Sequence, residues 1–139
     1  MFRFNKIKKM GFTLIELLIV IAIIGILASI AYPSYKGVLE KTRRQEAIRT
    51  LLEASQLMES YYAMNLNYSG AISGGVITAF TESDDFSELY TLTGVAALGS
   101  SSFTLSATPI STGIQSDDEC GTLTITHTGS TGADASDCW

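Results

Sequence analysis

Glu16 is the only charged residue in an otherwise apolar run, F-T-L-I-E-L-L-I-V-I-A-I-I-G-I-L-A-S-I-A, from Phe12 to Ala31. A carboxylate inside a segment apolar enough to enter hydrocarbon costs roughly 2.5 to 3.5 kcal/mol on insertion scales, so it persists where something compensates it. The chain supplies a candidate. Four bases (Arg3, Lys6, Lys8, Lys9) precede Met10-Gly11. If that leader is removed after Gly11, Phe12 becomes a new N-terminus whose amine lies one helical turn from Glu16. An α-amine is cationic at neutral pH, and its pairing with a carboxylate is far stronger in a dry setting than at a surface. Removing one partner of such a pair costs several kcal/mol.

No other group of residues suggests catalysis. The chain has one histidine, His127, and two cysteines, Cys120 and Cys138. It lacks a glycine-rich phosphate loop and a His-Glu-x-x-His pattern, so an enzyme is excluded as the working reading and no cofactor is implied. A metal site finds no support in the cysteine spacing. The acids Glu82, Asp84, Asp85 and Glu88, and the run Asp117, Asp118, Glu119, have no recognised calcium-loop spacing and read as solvated. His127 continues the inward register of Leu123 and Ile125, which predicts a partly buried structural residue.

The elements that position these groups are legible from periodicity. Phe12 to Ala31 is 20 residues, or about 30 Å of helix, the thickness of a bilayer core. A secretory signal cut near Ser29-Ile30-Ala31 is the competing reading, but a carboxylate is out of place in a signal core and the helical pattern does not stop there. Beyond Pro33, Ile48, Leu51, Leu52, Ser55, Met58 and Tyr62 recur in steps of three and four while Arg44, Glu46, Arg49, Glu53 and Gln56 take other faces. This predicts one long helix to about Met64. Gly25 and Pro33 are its weak points, predicting either a local break or a gentle kink. Tyr32 and Tyr35 fit an interfacial belt, and Tyr61 and Tyr62 fit a cap on the core.

Residues 65–102 are polar and glycine-rich and read as a connection, with one short strand at Val76 to Phe80 and a helical turn around Phe86 to Tyr90. Phe103, Leu105 and Ala107 alternate with Thr104, Ser106 and Thr108, and Leu123 and Ile125 alternate with Thr122, Thr124 and Thr126. Two half-buried antiparallel strands with a turn at Gly113 follow from that pattern, their apolar face packing on Leu51, Leu52 and Met58.

The string K-K-M-G-F-T-L-I-E-L-L-I-V-I-A-I-I-G-I-L-A-S-I-A-Y-P-S-Y resembles the prepilin signature of type IV pilins, shared by secretion pseudopilins, and the likeness extends from Lys8 to about Glu46. The resemblance implies cleavage after Gly11 by a prepilin peptidase, N-methylation of Phe12, and pairing of Glu16 with the Phe12 amine of a neighbouring subunit during assembly. It implies loss of helicity between Gly25 and Pro33 on assembly. The implied fold is α+β: a long N-terminal helix packed on a small antiparallel sheet, with a C-terminal loop bounded by a disulfide. The ending C-G-T-L-T-I with a terminal C-W is nearest to minor-pilin-like subunits. An exported domain meets an oxidising compartment, so Cys120 and Cys138 are expected to pair, worth about 3 kcal/mol in the chain-entropy model. The expected division is a leader at 1–11, a membrane and filament-core helix at 12–33, and a globular domain at 34–139.

The implied function is a structural subunit of a pilus serving adhesion, twitching motility or DNA uptake. The alternatives are a minor or tip subunit that primes assembly or binds, and a type II secretion pseudopilin. Its partners would be other pilin subunits, the prepilin peptidase and the inner-membrane assembly machinery. Before assembly it would sit in the inner membrane with the domain in the periplasm, and after assembly in an extracellular filament. Charge sets limits. All nine bases lie at or before Arg49. With the leader gone, Lys36, Lys41, Arg43, Arg44 and Arg49 face 14 acids, a side-chain balance of −9. Direct nucleic-acid binding rests on Lys and Arg meeting phosphates and is therefore disfavoured for this subunit alone. The positive-inside comparison is nearly tied, so the orientation rests on the short leader, the acidic domain and the resemblance.

Overall fold

The structure, a computed structural model, describes residues 11–96 and 101–139. The expected leader therefore lies almost wholly outside the described residues. The chain divides into two compact units, Met1–Val38 and Leu39–Trp139. One helix, α1 (Leu14–Asn65), contributes to both.

In the first unit α1 presents Leu, Ile and Val on every side, and the large apolar residues from Leu14 to Ile30 are all exposed. A helix satisfies its own backbone groups, so this segment needs no partner for its hydrogen bonds, only for its apolar surface. The helix is continuous through Gly25 and Pro33. Of the local break and the gentle kink that the sequence allows here, this form of the chain shows no break.

In the second unit α1 buries Arg44, Ala47, Thr50, Leu51, Ala54 and Met58. Those steps of one, three and four define a single face. Two expectations are corrected here: Leu52 is 45% exposed, and Arg44, expected on a solvent face, is buried. The helix ends where Leu66 takes φ 55°. Its amide donates to the Tyr62 carbonyl at 2.8 Å and the Asn65 side chain donates to that of Tyr61 at 2.9 Å. These bonds satisfy carbonyls left open by the last turn.

After the helix come β1 (Ile72–Ser73), β2 (Val76–Ile77), α2 (Asp84–Ser87), β3 (Tyr90–Val95), β4 (Thr104–Pro109), β5 (Leu123–Thr126) and β6 (Thr131–Gly132). β1 and β2 form a small antiparallel hairpin, and β3-β4-β5-β6 form an antiparallel sheet. The expected pairing of the last two long strands is observed: Leu105 faces Ile125 and Ala107 faces Leu123. These four residues, with Phe103 and Tyr90, share the buried core with the α1 face.

The connection is more structured than its composition suggests. The strand expected at Val76 to Phe80 is only two residues long, and β3 was not anticipated. It alternates Tyr90, Leu92 and Gly94 against Thr91, Thr93 and Val95. Gly94 disguises the pattern, yet a Cβ there would lie 2.8 Å from Cδ1 of Ile72 and 3.2 Å from Cγ1 of Ile77. The glycine is what lets the hairpin close on β3, where the Gly94 amide donates to the Gly75 carbonyl at 2.9 Å. The helical turn is present, shifted to Asp84–Ser87, with the Ser83 hydroxyl accepting from the Phe86 amide at 3.3 Å.

Cys120 and Cys138 form the disulfide, with Cα atoms 5.7 Å apart across 18 residues. Within this loop the Asp134 amide donates to the Cys120 carbonyl at 3.0 Å and the Asp134 carboxylate accepts from the Thr122 amide at 3.2 Å. Gly121, at φ 52°, lies where a Cβ would collide with that carboxylate. The Trp139 indole donates to the Gly132 carbonyl at 2.9 Å, covering part of the β6 edge.

Candidate functional site

At the start of α1 the sequence T-L-I-E forms a capping box. The Thr13 amide and hydroxyl both donate to Glu16 Oε2, at 2.9 and 2.8 Å, and the Glu16 amide donates back to Thr13 Oγ1 at 3.3 Å. Reciprocal bonds of this kind satisfy helix-terminal donors that otherwise have no partner. They also hold the carboxylate at the very end of the helix. Gly11, Phe12, Thr13 and Glu16 together line a shallow cleft of about 290 Å³.

The arrangement brings Gly11, Phe12 and Glu16 together and adds Thr13, while Gly25, Pro33 and the two cysteines lie elsewhere in the chain. The capping pattern was legible as Thr, two intervening residues and Glu. Its consequence is chemical: Glu16 is not bare. Two hydrogen bonds from its own helix partly replace the water it would lose on entering hydrocarbon. An ammonium placed in the same cleft would meet a carboxylate that is already oriented.

A second polar cluster lies inside the globular unit and was not anticipated. Arg44 Nε donates to Asp118 Oδ2 at 3.1 Å while its Nη2 meets Oδ1. Asp118 also accepts from Gln115 Nε2 at 2.8 Å and from the Cys120 amide at 3.1 Å. Gln115 Nε2 reaches the Glu40 carbonyl at 3.1 Å as well. Burial pushes the Asp118 carboxyl upward, but the Arg44, Cys120 and Gln115 donors outweigh it and hold it below the usual carboxylate range. The Asp118 hydrogen bond and charge keep the Arg44 guanidinium above its ordinary value. Burial, and then the negative charge of Asp118, raise the Tyr90 phenol to about 12.

This cluster corrects the reading of Asp118 as a solvated acid; only its neighbours Asp117 and Glu119 are exposed. His127 is corrected too. It is exposed just beyond β5, its amide donating to the Phe103 carbonyl at 3.1 Å and its ring standing edge-on to Phe103. No group of three or more metal-ligating side chains occurs among the described residues.

A long helix with a capped carboxylate at its apolar start, followed by a four-stranded antiparallel sheet closed by a C-terminal disulfide, defines the pilin class of architecture. The comparisons agree. The family described as type IV minor pilin ComP, DNA uptake sequence receptor, matches residues 33–124, and the prokaryotic N-terminal methylation motif matches residues 8–32. The chain belongs to this type IV pilin family.

Among curated relatives, a fimbrial protein of Neisseria meningitidis serogroup B is 41% identical over 76 residues, covering 54% of this chain and 44% of the relative. The type II secretion system core protein G of Escherichia coli is 38% identical over 61 residues, covering 44% and 42%. The chain thus spans less than half the length of these relatives. A solved type IV pilin from Shewanella oneidensis superposes with a TM-score of 0.55 at 26% identity, covering 72% of this chain and 97% of that one. The Neisseria meningitidis non-core minor pilin PilV superposes at 0.53 with 21% identity, covering 71% and 90%, which shows the shared fold.

Proposed function

We propose that this chain is a structural subunit of a type IV pilus. It is made as a prepilin, cut after Gly11 by a prepilin peptidase and methylated on the Phe12 amine. Residues 12–33 hold it in the inner membrane, with the domain of residues 34–139 in the periplasm. The assembly machinery then moves it into an extracellular filament.

One observation carries this reading. The apolar window of α1 buries none of its residues within the chain, so on leaving the bilayer it needs an equally apolar surface, which the same helix of neighbouring pilins offers. Glu16 sets the register: a neighbour's Phe12 amine replaces or joins the Thr13 donors. Methylation preserves that charge. Gly25 and Pro33 mark where a continuous helix can yield as it packs.

A second reading is favoured by the family description, which names a minor pilin and DNA uptake. Charge argues that this chain does not supply the phosphate contacts by itself. No Lys or Arg follows Arg49; Arg44 is bound to Asp118 and Arg49 pairs with Glu53 at 2.9 Å. In the globular unit Lys41 and Arg43 remain, and each phosphate neutralised contributes only about one unit to the salt dependence of binding. In this reading, DNA binding depends on cations from another subunit.

Quantifying the chain in sheared surface filaments tests both. A dominant component supports a main structural subunit, and a trace component the minor one. Absence from filaments, with protein export blocked on deletion, replaces both with a secretion pseudopilin.

A further inference from the structure

The loop between β4 and β5 inverts the usual order of burial. Ile114 is 64% exposed while its neighbour Gln115 is 0% exposed, although apolar surface is what water expels. The Gln115 side chain uses both of its N–H groups, Nε2 donating to the Glu40 carbonyl at 3.1 Å and to Asp118 Oδ2 at 2.8 Å. Both partners are acceptors, so the nitrogen and not the oxygen must face them. Gln115 Oε1 is left buried with no hydrogen-bond partner among the described residues. Such an atom costs stability, so stability alone does not account for the side chain.

Its position does. Among the described residues Arg44 is the first buried residue of α1, and the turn before it, Glu40 to Arg43, has no buried side chain. There Gln115 holds the helix by its backbone, at a carbonyl whose second lone pair the helical bond leaves free. The loop that presents Gln115 is closed by successive turns: the Ser116 amide donates to the Gly113 carbonyl at 3.2 Å, the Asp118 amide to that of Gln115 at 3.1 Å, and the Gly121 amide to that of Asp118 at 3.0 Å. Asp118 returns to α1 through Arg44. Gln115 and Asp118 thus hold α1 at two points one turn apart.

We propose that Gln115 is a clamp that fixes where α1 stops yielding. It confines unwinding that starts between Gly25 and Pro33 to the turns before Glu40, so that load along a filament does not strip the helix from the sheet. Local opening of this kind ends where a segment is tied to a more stable unit. The inference rests on the filament reading above and adds the boundary between the part of α1 that yields and the part that carries the fold.

The test is amide hydrogen exchange of the full chain in detergent micelles, resolved by residue with NMR. Gln115→Met keeps the length and bulk of the side chain but has no N–H to donate. The amides of Thr42, Arg43 and Arg44 should exchange about tenfold faster in this variant, the factor that one net hydrogen bond carries, while those of Leu51 to Met58 and of β4 and β5 keep their wild-type rates. Should Gln115→Met fail to fold, Gln115→Asn, one methylene too short to reach both partners, gives the same readout. Unchanged exchange at Thr42 to Arg44 would overturn the clamp. So would an acceleration spread evenly over α1, β4 and β5, which marks an ordinary loss of stability. A wild-type chain missing from sheared filaments would instead overturn the filament reading, and with it the role of the clamp under load.

Discussion

Arg44 on α1 and Asp118 in the loop before β5, 74 residues apart in sequence, form a buried two-point ion pair. Asp118 also accepts from the amide of Cys120, itself half of the disulfide. The helix is thereby tied to the root of the disulfide loop by polar contacts as well as by the apolar core.

Breaking this pair from one side should be severe, because it leaves a buried charge without a partner. Arg44→Ala and Asp118→Ala are each expected to destabilise the chain by about 3 to 5 kcal/mol, a large share of the ~5 to 15 kcal/mol typical of a domain. Arg44→Met with Asp118→Leu should recover only part of the loss, since Gln115 and the Cys120 amide still lose their acceptor. Urea titration of the purified chain in detergent measures this. Single variants within 1 kcal/mol of wild type would show that the pair does not matter.

Acid should act through the same carboxylate. The folded Asp118 carboxyl lies below its ordinary value, so the unfolded chain binds its proton first as pH falls. The stabilisation is fully present above the unfolded value of about 3.9 and is lost as pH drops below it, through the folded value. Melting temperature measured from pH 7 to pH 2 should fall most steeply below about pH 4, and an Asp118→Asn chain should show a shallower fall.

Opening the disulfide should cost about 3 kcal/mol on the chain-entropy account. Cys138→Ser is expected to show this loss and to free the Trp139 indole from Gly132, shifting its fluorescence to the red. Adding reductant to the wild type should reproduce both changes and leave the variant unaffected.

Much of this was legible in the sequence, for reasons that differ by element. Leu105, Ala107, Leu123 and Ile125 alternate strictly with hydroxyl residues, so β4 and β5 and their shared buried face could be read directly. β3 could not, because Gly94 occupies an inward position where the pattern requires a side chain. The Arg44 and Asp118 pairing has no local signature. Each sits among other charged residues, and only the fold shows which member of each group turns inward. His127 shows the opposite error: extending the alternation of β5 by one step ignored the turn that ends it, and the ring lies outside.

The start of α1 yields the prediction closest to function. Glu16→Ala should still be cleaved after Gly11 yet enter filaments poorly. Thr13→Val, which removes the hydroxyl but keeps the amide donor, should cost about 1 kcal/mol of capping and reduce assembly less. Immunoblots of sheared and cell-bound fractions separate the two effects. Normal piliation by Glu16→Ala as the sole copy would remove the register argument.

The most direct test of the central claim is the mass of the N-terminal peptide of this chain recovered from sheared filaments. The account predicts a peptide that begins at Phe12 and is one methyl group heavier than its sequence, with Gly11→Lys giving an uncleaved chain retained in the membrane. A chain that begins after Ala31, or one that still carries Gly11, would contradict it.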